Sequence, residues 1–156
     1  MFLPAGRLHA VGAGNFLVEI QQNSDTTYRV FDWDRVEDKG RPRQLHADQA
    51  LECVDFSDCK PQLLRPKGEL LLKSALFEIQ KWTLDSPREV APSGQFAIVC
   101  CLTGKVTFAN VDLAQGEFFL VPAQLQDRQL KPLSAQTSLL RVTIPLPAFL
   151  SCSGAL

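Results

Sequence analysis

A chain of 156 residues, 46% of them apolar, is long enough to build one packed core, and its net charge of −1, with acids and bases interspersed, offers no basic block for nucleic acid and no acidic tail. The longest strongly apolar run, residues 96–102, falls far short of the roughly 20 residues a membrane-spanning helix needs, and the first residues lack the basic start and apolar run of a signal peptide. Five cysteines without CxxC spacing, accompanied by two histidines, suggest neither a disulfide framework nor a structural zinc site, so a reducing cytoplasm fits best.

The most polar stretch comes first. Pro4-Ala5-Gly6 is a turn signal leading into residues 7–11, which alternate like a strand. Gly12-Ala13-Gly14-Asn15 is a second turn. Residues 16–22 alternate again, with Phe16, Val18 and Ile20 on one face and Leu17, Glu19 and Gln21 on the other. Asn23-Ser24-Asp25 breaks the run, and TTYRVF at 26–31 is dense in β-branched and aromatic residues, as a third strand would be. These strands carry His9, Glu19, Gln21 and Arg29. An imidazole, a carboxylate and a guanidinium on adjacent strands suit a metal and an anionic sugar. The residue types fit equally an ordinary surface histidine and a surface Glu19–Arg29 ion pair, and spacing alone leaves both readings open.

Residues 36–45 form a charged connector with Gly40 and Pro42. Residues 46–54 predict a short helix, with Ala47, Ala50, Leu51 and Val54 on one face and His46 near its N-terminus in a structural or solvent-facing role. Residues 58–68 are a second connector. From Glu69 the pattern is all β. Strands are expected at 70–74 and 77–84. In the latter, Phe77, Ile79 and Lys81 oppose Glu78, Gln80, Trp82 and Leu84, an impure alternation that leaves the buried face open. A turn-rich loop at 85–94 precedes a continuous apolar strand at 95–102, a pattern that suits burial on both faces. Thr103-Gly104-Lys105 reads as a tight turn that makes a hairpin with 106–110. Residues 111–113, a turn at 115–117, strands at 118–121 and 138–144, and a poorly ordered tail after Pro145 complete the chain.

Many short strands between Gly and Pro turns favour a sandwich or barrel. No histidine follows His46, so residues 47–156 present no ordinary metal site. Cys100 and Cys101 point to opposite faces of one strand and read as apolar packing. Trp82 reads as a core aromatic rather than a sugar platform. Lys105, Arg128 and Lys131 read as solvated charges rather than phosphate ligands, because no Gly-rich cradle surrounds them. This half of the chain reads as a scaffold or partner module.

The run EIQQNSDTTYRVFDWDR at 19–35 resembles the signature of bacterial type I mannose-6-phosphate isomerases. LPAG at 3–6 with HAVGAG at 9–14 is similar to that family's metal-site turn, and PRQLHADQAL at 42–51 to its next segment. The remainder, to about residue 144, is similar to the family's C-terminal cupin. The resemblance covers nearly the whole chain but only the second half of the family's usual length.

The resemblance implies a mainly β chain: a cupin double-stranded β-helix, or jelly-roll barrel, with extra N-terminal strands and a short linking helix. Residues 1–35 would be the closing strands of an incomplete first barrel, 36–68 a linker, 69–145 the C-terminal barrel and 146–156 a tail. In the family a divalent metal, usually zinc, sits in the first barrel and assists interconversion of mannose 6-phosphate and fructose 6-phosphate through a cis-enediol. By resemblance His9 matches a metal ligand, Arg29 the active-site arginine and Glu19 a carboxylate implicated in proton transfer. Asp25, Thr26 and Tyr28 match the signature in structural roles. The other metal ligands of the family have no counterpart here, and a catalytic zinc ordinarily takes three protein ligands.

The favoured expectation is therefore the C-terminal portion of such an isomerase, inactive alone, with mannose 6-phosphate as the sugar-phosphate partner. Open strand edges would invite self-association or pairing with the missing N-terminal half. One subunit of a split isomerase is a second reading. A non-catalytic cupin that binds a sugar phosphate or a protein is a third, marked by saturable binding without added metal.

Overall fold

Among the described residues, alternating apolar residues become strands after residue 69, where each finds a neighbour to pair with. The computed structural model describes residues 1–24, 26–37, 39–60 and 63–145. Among the described residues one helix, α1 (Ala47–Cys53), precedes nine strands: β1 (Leu70–Lys73), β2 (Glu78–Leu84), β3 (Arg88–Glu89), β4 (Ala97–Thr103), β5 (Lys105–Phe108), β6 (Val111–Ala114), β7 (Phe118–Val121), β8 (Gln129–Pro132) and β9 (Thr137–Thr143). The chain divides into two units at Leu63–Leu64.

The second unit is the jelly roll that the sequence predicts. One sheet runs β1-β2-β9-β4-β7 and the other β3-β8-β5-β6, all pairs antiparallel. Early strands pair with late ones, so the chain is wound as a folded-over hairpin, which is the cupin double-stranded β-helix. The register fixes which face is inside. Trp82 and Cys101 both lie opposite Leu139, and Val99 and Gln80 both lie opposite Arg141. Trp82, Leu84, Val99, Cys101, Leu139 and Val121 belong to one buried cluster with Val106 and Leu130 of the other sheet. The impure alternation of 77–84 is thereby resolved: the face of Glu78, Gln80, Trp82 and Leu84 is the inner one. Cys100 and Cys101 are both buried, as expected of packed thiols.

Three sequence expectations are corrected in this unit. Residues 103–105 do not make a hairpin. β4 and β5 belong to different sheets, and Gly104 is the corner between them. Its φ of +76° and the approach of Ser134 Oγ to 2.6 Å from where a Cβ would stand leave room for glycine alone. The hairpin is β5–β6, closed by Ala109 and Asn110, both at positive φ, the conformation of a type I′ turn. The 85–94 loop contains β3, two residues that show no period, and β8 has no counterpart among the expected strands, because Leu130 is a single apolar residue between polar ones and Pro132 closes the run. Arg128 is not solvated. It is 3% exposed and donates to five backbone carbonyls: Ala91 O at 2.7 Å, Pro122 O at 2.7 Å, Ala123 O at 3.1 Å, Leu125 O at 3.5 Å and Gln95 O. Lys105 and Lys131 are exposed as expected, Lys105 paired with Asp112.

In the first unit the helix forms where its apolar period predicts, with Ala50 on its buried side. The strands expected at 7–11, 16–22 and 26–31 are not assembled into a sheet: among the described residues no strand ladder precedes Leu70. A strand leaves its N–H and C=O groups unsatisfied unless a neighbour takes them. Here the described backbone offers an isolated bridge, Val36 with Pro42, and a two-way pairing of Arg29 with His46. The tail at 146–156 and Asp25 lie outside the described residues.

Candidate functional site

The signature residues sit on a framework pinned by two bidentate ion pairs. Gly6, at φ +84°, turns the chain tightly enough that its carbonyl accepts from the Asp55 N–H at 2.8 Å, and a Cβ there would come within 2.8 Å of Cys53 O. The turn places Arg7 against Asp58, with Nε to Oδ2 at 2.5 Å and Nη2 to Oδ1 at 2.8 Å, while Nη1 donates to Phe2 O at 2.7 Å. Further along, Arg43 Nε donates to Asp32 Oδ2 at 2.6 Å and Nη2 to Oδ1. The fork of Arg43 holds the Asp32 carboxyl below the usual carboxylate range. Ser57 does the same for Asp55 by donating from both its hydroxyl and its N–H.

His9 follows the first pair. It is exposed, and its Nδ1 lies 3.0 Å from Arg7 O. A carbonyl only accepts, so Nδ1 is the donor in this contact and Nε2 is left for an outside partner. A carbonyl behind one ring nitrogen is the support a metal-ligating imidazole commonly has. Glu19 and Gln21 are exposed. Arg29 is half-buried, and its backbone is fixed from both sides by one residue: its N–H donates to His46 Nδ1 at 3.3 Å, and its carbonyl accepts from the His46 N–H at 2.7 Å. Tyr28 lies near the same imidazole, ring centroids 6.0 Å apart. His46 thus has the structural role expected of it, tying the signature to the start of α1. Thr26 likewise engages locally, its N–H donating to Ser24 Oγ.

No hydrogen bond or ion pair among the described residues joins His9, Glu19 and Arg29 to one another, and no group of three His, Cys, Asp or Glu side chains among them is placed to hold a metal. One imidazole is not the donor set of a catalytic zinc. The described residues do not fit a complete metal site by themselves. They present separate contributions to one, on a unit in which Ala50 is the lone buried residue among those described. Around them Leu8, Val11, Phe16, Phe31, Trp33 and Val36 stand in solvent, Phe16 82% exposed. Such apolar exposure is far beyond the scattered single residues normal for a surface.

The second unit holds a cleft of about 260 Å³ that sequence reasoning missed. Glu78, Gln80 and Trp82 line it from β2 and Arg141 from β9, with Arg88 at its rim. The Trp82 indole N–H donates to Gln80 Oε1 at 2.8 Å, and Gln80 Nε2 donates to Glu78 Oε1 at 2.9 Å. The Arg88 guanidinium stacks 3.7 Å above the Trp82 ring centroid and is held by a bidentate pair with Glu69, at 2.7 and 2.9 Å. Arg141 donates from Nε to Val90 O. Burial lowers its pKa, with Glu78 opposing the shift. A polar residue on the inner face of a barrel strand was the available signal, and Glu78, Gln80 and Arg141 are three. Among the described residues no helix is long and apolar enough to cross a membrane.

No family model matches the chain. It is 30% identical over 138 residues to a mannose-6-phosphate isomerase of Streptococcus mutans, covering 82% of this chain and 44% of that protein. It is 26% identical over 141 residues to mannose-6-phosphate isomerase ManA of Bacillus subtilis, covering 83% and 45%. The crystal structure of the mannose 6-phosphate isomerase from Bacillus subtilis superposes with a TM-score of 0.58 at 26% identity, over 78% of this chain and 41% of that one. The chain spans less than half the length of these relatives.

Proposed function

The chain is related to the mannose-6-phosphate isomerases over most of its own length and less than half of theirs, and on that premise we propose that it forms the C-terminal portion of such an enzyme. Residues 1–35 then supply the closing strands of a first barrel, and other polypeptide supplies the rest of its wall. The exposed apolar side chains of the first unit carry this reading: Phe16 and Phe31 are in solvent on segments whose alternation belongs to half-buried strands, with Trp33 exposed beside them.

In such a barrel each signature residue has a task suited to its chemistry. Arg29, its backbone locked to His46, presents a permanently charged fork to the phosphate or the developing oxyanion of a sugar phosphate. Glu19 moves a proton between C1 and C2 of the sugar, the transfer that interconverts aldose and ketose through an enediol. His9 offers one imidazole nitrogen to a divalent metal, zinc in this proposal. The described residues do not complete that site by themselves. Cys53, Cys59, Cys100 and Cys101 are free thiols, in keeping with a cytoplasmic enzyme.

Metal content and a coupled mannose-6-phosphate isomerase assay on the purified chain test the proposal. The chain alone is expected to hold less than stoichiometric zinc and to give no turnover. Adding the N-terminal half of the Bacillus subtilis relative is expected to restore turnover, and Glu19→Gln to reduce it about 10²–10⁴-fold. Turnover by the chain alone, with bound metal that is lost in His9→Ala, would overturn the half-enzyme reading.

A further inference from the structure

The cleft of the second unit lies on the face of β2 and β9 that elsewhere makes the core. Trp82 opposite Leu139 is core, and two residues further along Gln80 opposite Arg141 is polar, with Glu78 beyond it. A chain that needed only a scaffold would close this end with apolar side chains, since an inward guanidinium costs desolvation free energy unless its donors are met. Arg141 has only 9% of its side chain exposed. Its Nε is satisfied by Val90 O, but Nη1 and Nη2 make no hydrogen bond among the described residues. The nearest carboxylate oxygen, Glu78 Oε1, is 3.9 Å from Nη1 and already accepts from Gln80. Two parallel donors at the end of a fixed guanidinium are the geometry that receives a pair of oxygens.

The surroundings choose among anions. Glu69, Glu78 and Glu89 balance Lys73, Arg88 and Arg141, so the cluster has no surplus positive charge for a dianion. Arg88 is committed to Glu69 by two hydrogen bonds. A monoanion with hydroxyl groups meets these conditions. Its carboxylate takes the Arg141 fork, and its hydroxyls meet the free acceptor capacity of Glu78. The volume of about 260 Å³ suits a metabolite of a few carbons rather than a larger ligand.

We propose that the inner cleft of the second unit binds a small hydroxycarboxylate, its carboxylate on the Arg141 guanidinium and its hydroxyls on Glu78. The cleft is lined by none of His9, Glu19 and Arg29, and the proposal stands whether or not the isomerase reading does.

Titration of the full chain with D-gluconate, followed by Trp82 fluorescence in a Trp33→Phe background, is the test. Saturable binding tighter than about 10 mM is expected. Arg141→Gln is expected to weaken it at least about tenfold, the loss of one charge-assisted bidentate contact, while Arg29→Gln leaves it unchanged. Because Arg141→Gln risks unfolding the barrel, Glu78→Gln is the second variant. Glutamine keeps an acceptor oxygen for the ligand hydroxyls but removes the charge that repels the ligand carboxylate at the Arg141 fork, so gluconate binding is expected to tighten several-fold, a gain that misfolding cannot produce. Equal binding of mannitol, tighter binding of inorganic phosphate, no saturation, or indifference to both variants would each overturn the proposal.

Discussion

Arg128 shows how far a single residue's role can sit from its sequence context. It lies between Asp127 and Gln129 in a polar stretch, where a solvated charge is the ordinary expectation. In the fold its guanidinium is buried and cross-links the segment before β4, through Ala91 and Gln95, to the segment after β7, through Pro122, Ala123 and Leu125. No carboxylate compensates it among the described residues; carbonyl dipoles do. Only the spatial convergence of two loops creates that cradle, so no local pattern announces it. Arg128→Met would remove the charge and leave the carbonyls without donors, at a cost of about 3 kcal/mol in denaturant unfolding. Arg128→Lys should recover little of this, since one ammonium cannot reach carbonyls spread around a planar fork. A loss below about 0.5 kcal/mol for Arg128→Met would show that the group is solvated after all.

At the scale of elements, legibility followed length and period. α1, β2, β4 and β9 have enough residues to show alternation or helical spacing, and each is found within a residue or two of its expected place. β3, with two residues, has no period to read, and its place is set by pairing with β8. The Thr103–Lys105 corner has the residues of a hairpin turn, but sequence does not say whether the next strand stays in its sheet. The signature 19–35 was legible by resemblance, whereas the cleft around Arg141 needed the β2–β9 register. A side-chain clamp joins the edges of the two sheets: Glu69, just before β1, and Arg88 in β3. Hydrogen bonds from Arg88 lower the Glu69 pKa, so in the folded state it lies below the unfolded value. The clamp therefore stabilises the fold above the ordinary carboxylate range of about 4, and the contribution is lost as pH falls through the folded pKa. The pair is partly exposed, so the effect is small, below about 1 kcal/mol. Glu69→Gln should lower Tm by a few degrees near about pH 7 and by nothing measurable near about pH 3. An equal loss at both pH values would mean that packing, not charge, is what the variant removes.

For the molecule as a whole, the contrast between the two units determines what kind of object the chain is. The second unit has a continuous core and two complete sheets, while the first has one buried residue among those described, two partly buried ion pairs and a row of exposed aromatics. Isolated ion pairs near a surface contribute little, and in the proposed reading the first unit's segments gain their burial from a partner surface. Hydrogen exchange on the full chain reads this directly. Amides of β2, β4 and β9 should open only with global unfolding, and those of residues 7–22 should exchange at least about a thousandfold faster. Two positions in the first unit should stand out: the His46 and Ala50 N–H groups, bonded to Arg29 O and His46 O. Protection of residues 7–22 that grows with protein concentration would identify the partner surface as a second copy of the chain, pairing through open strand edges. Protection that is high and independent of concentration would mean that these residues already form a sheet within one chain, and would remove the physical ground for a barrel completed from outside.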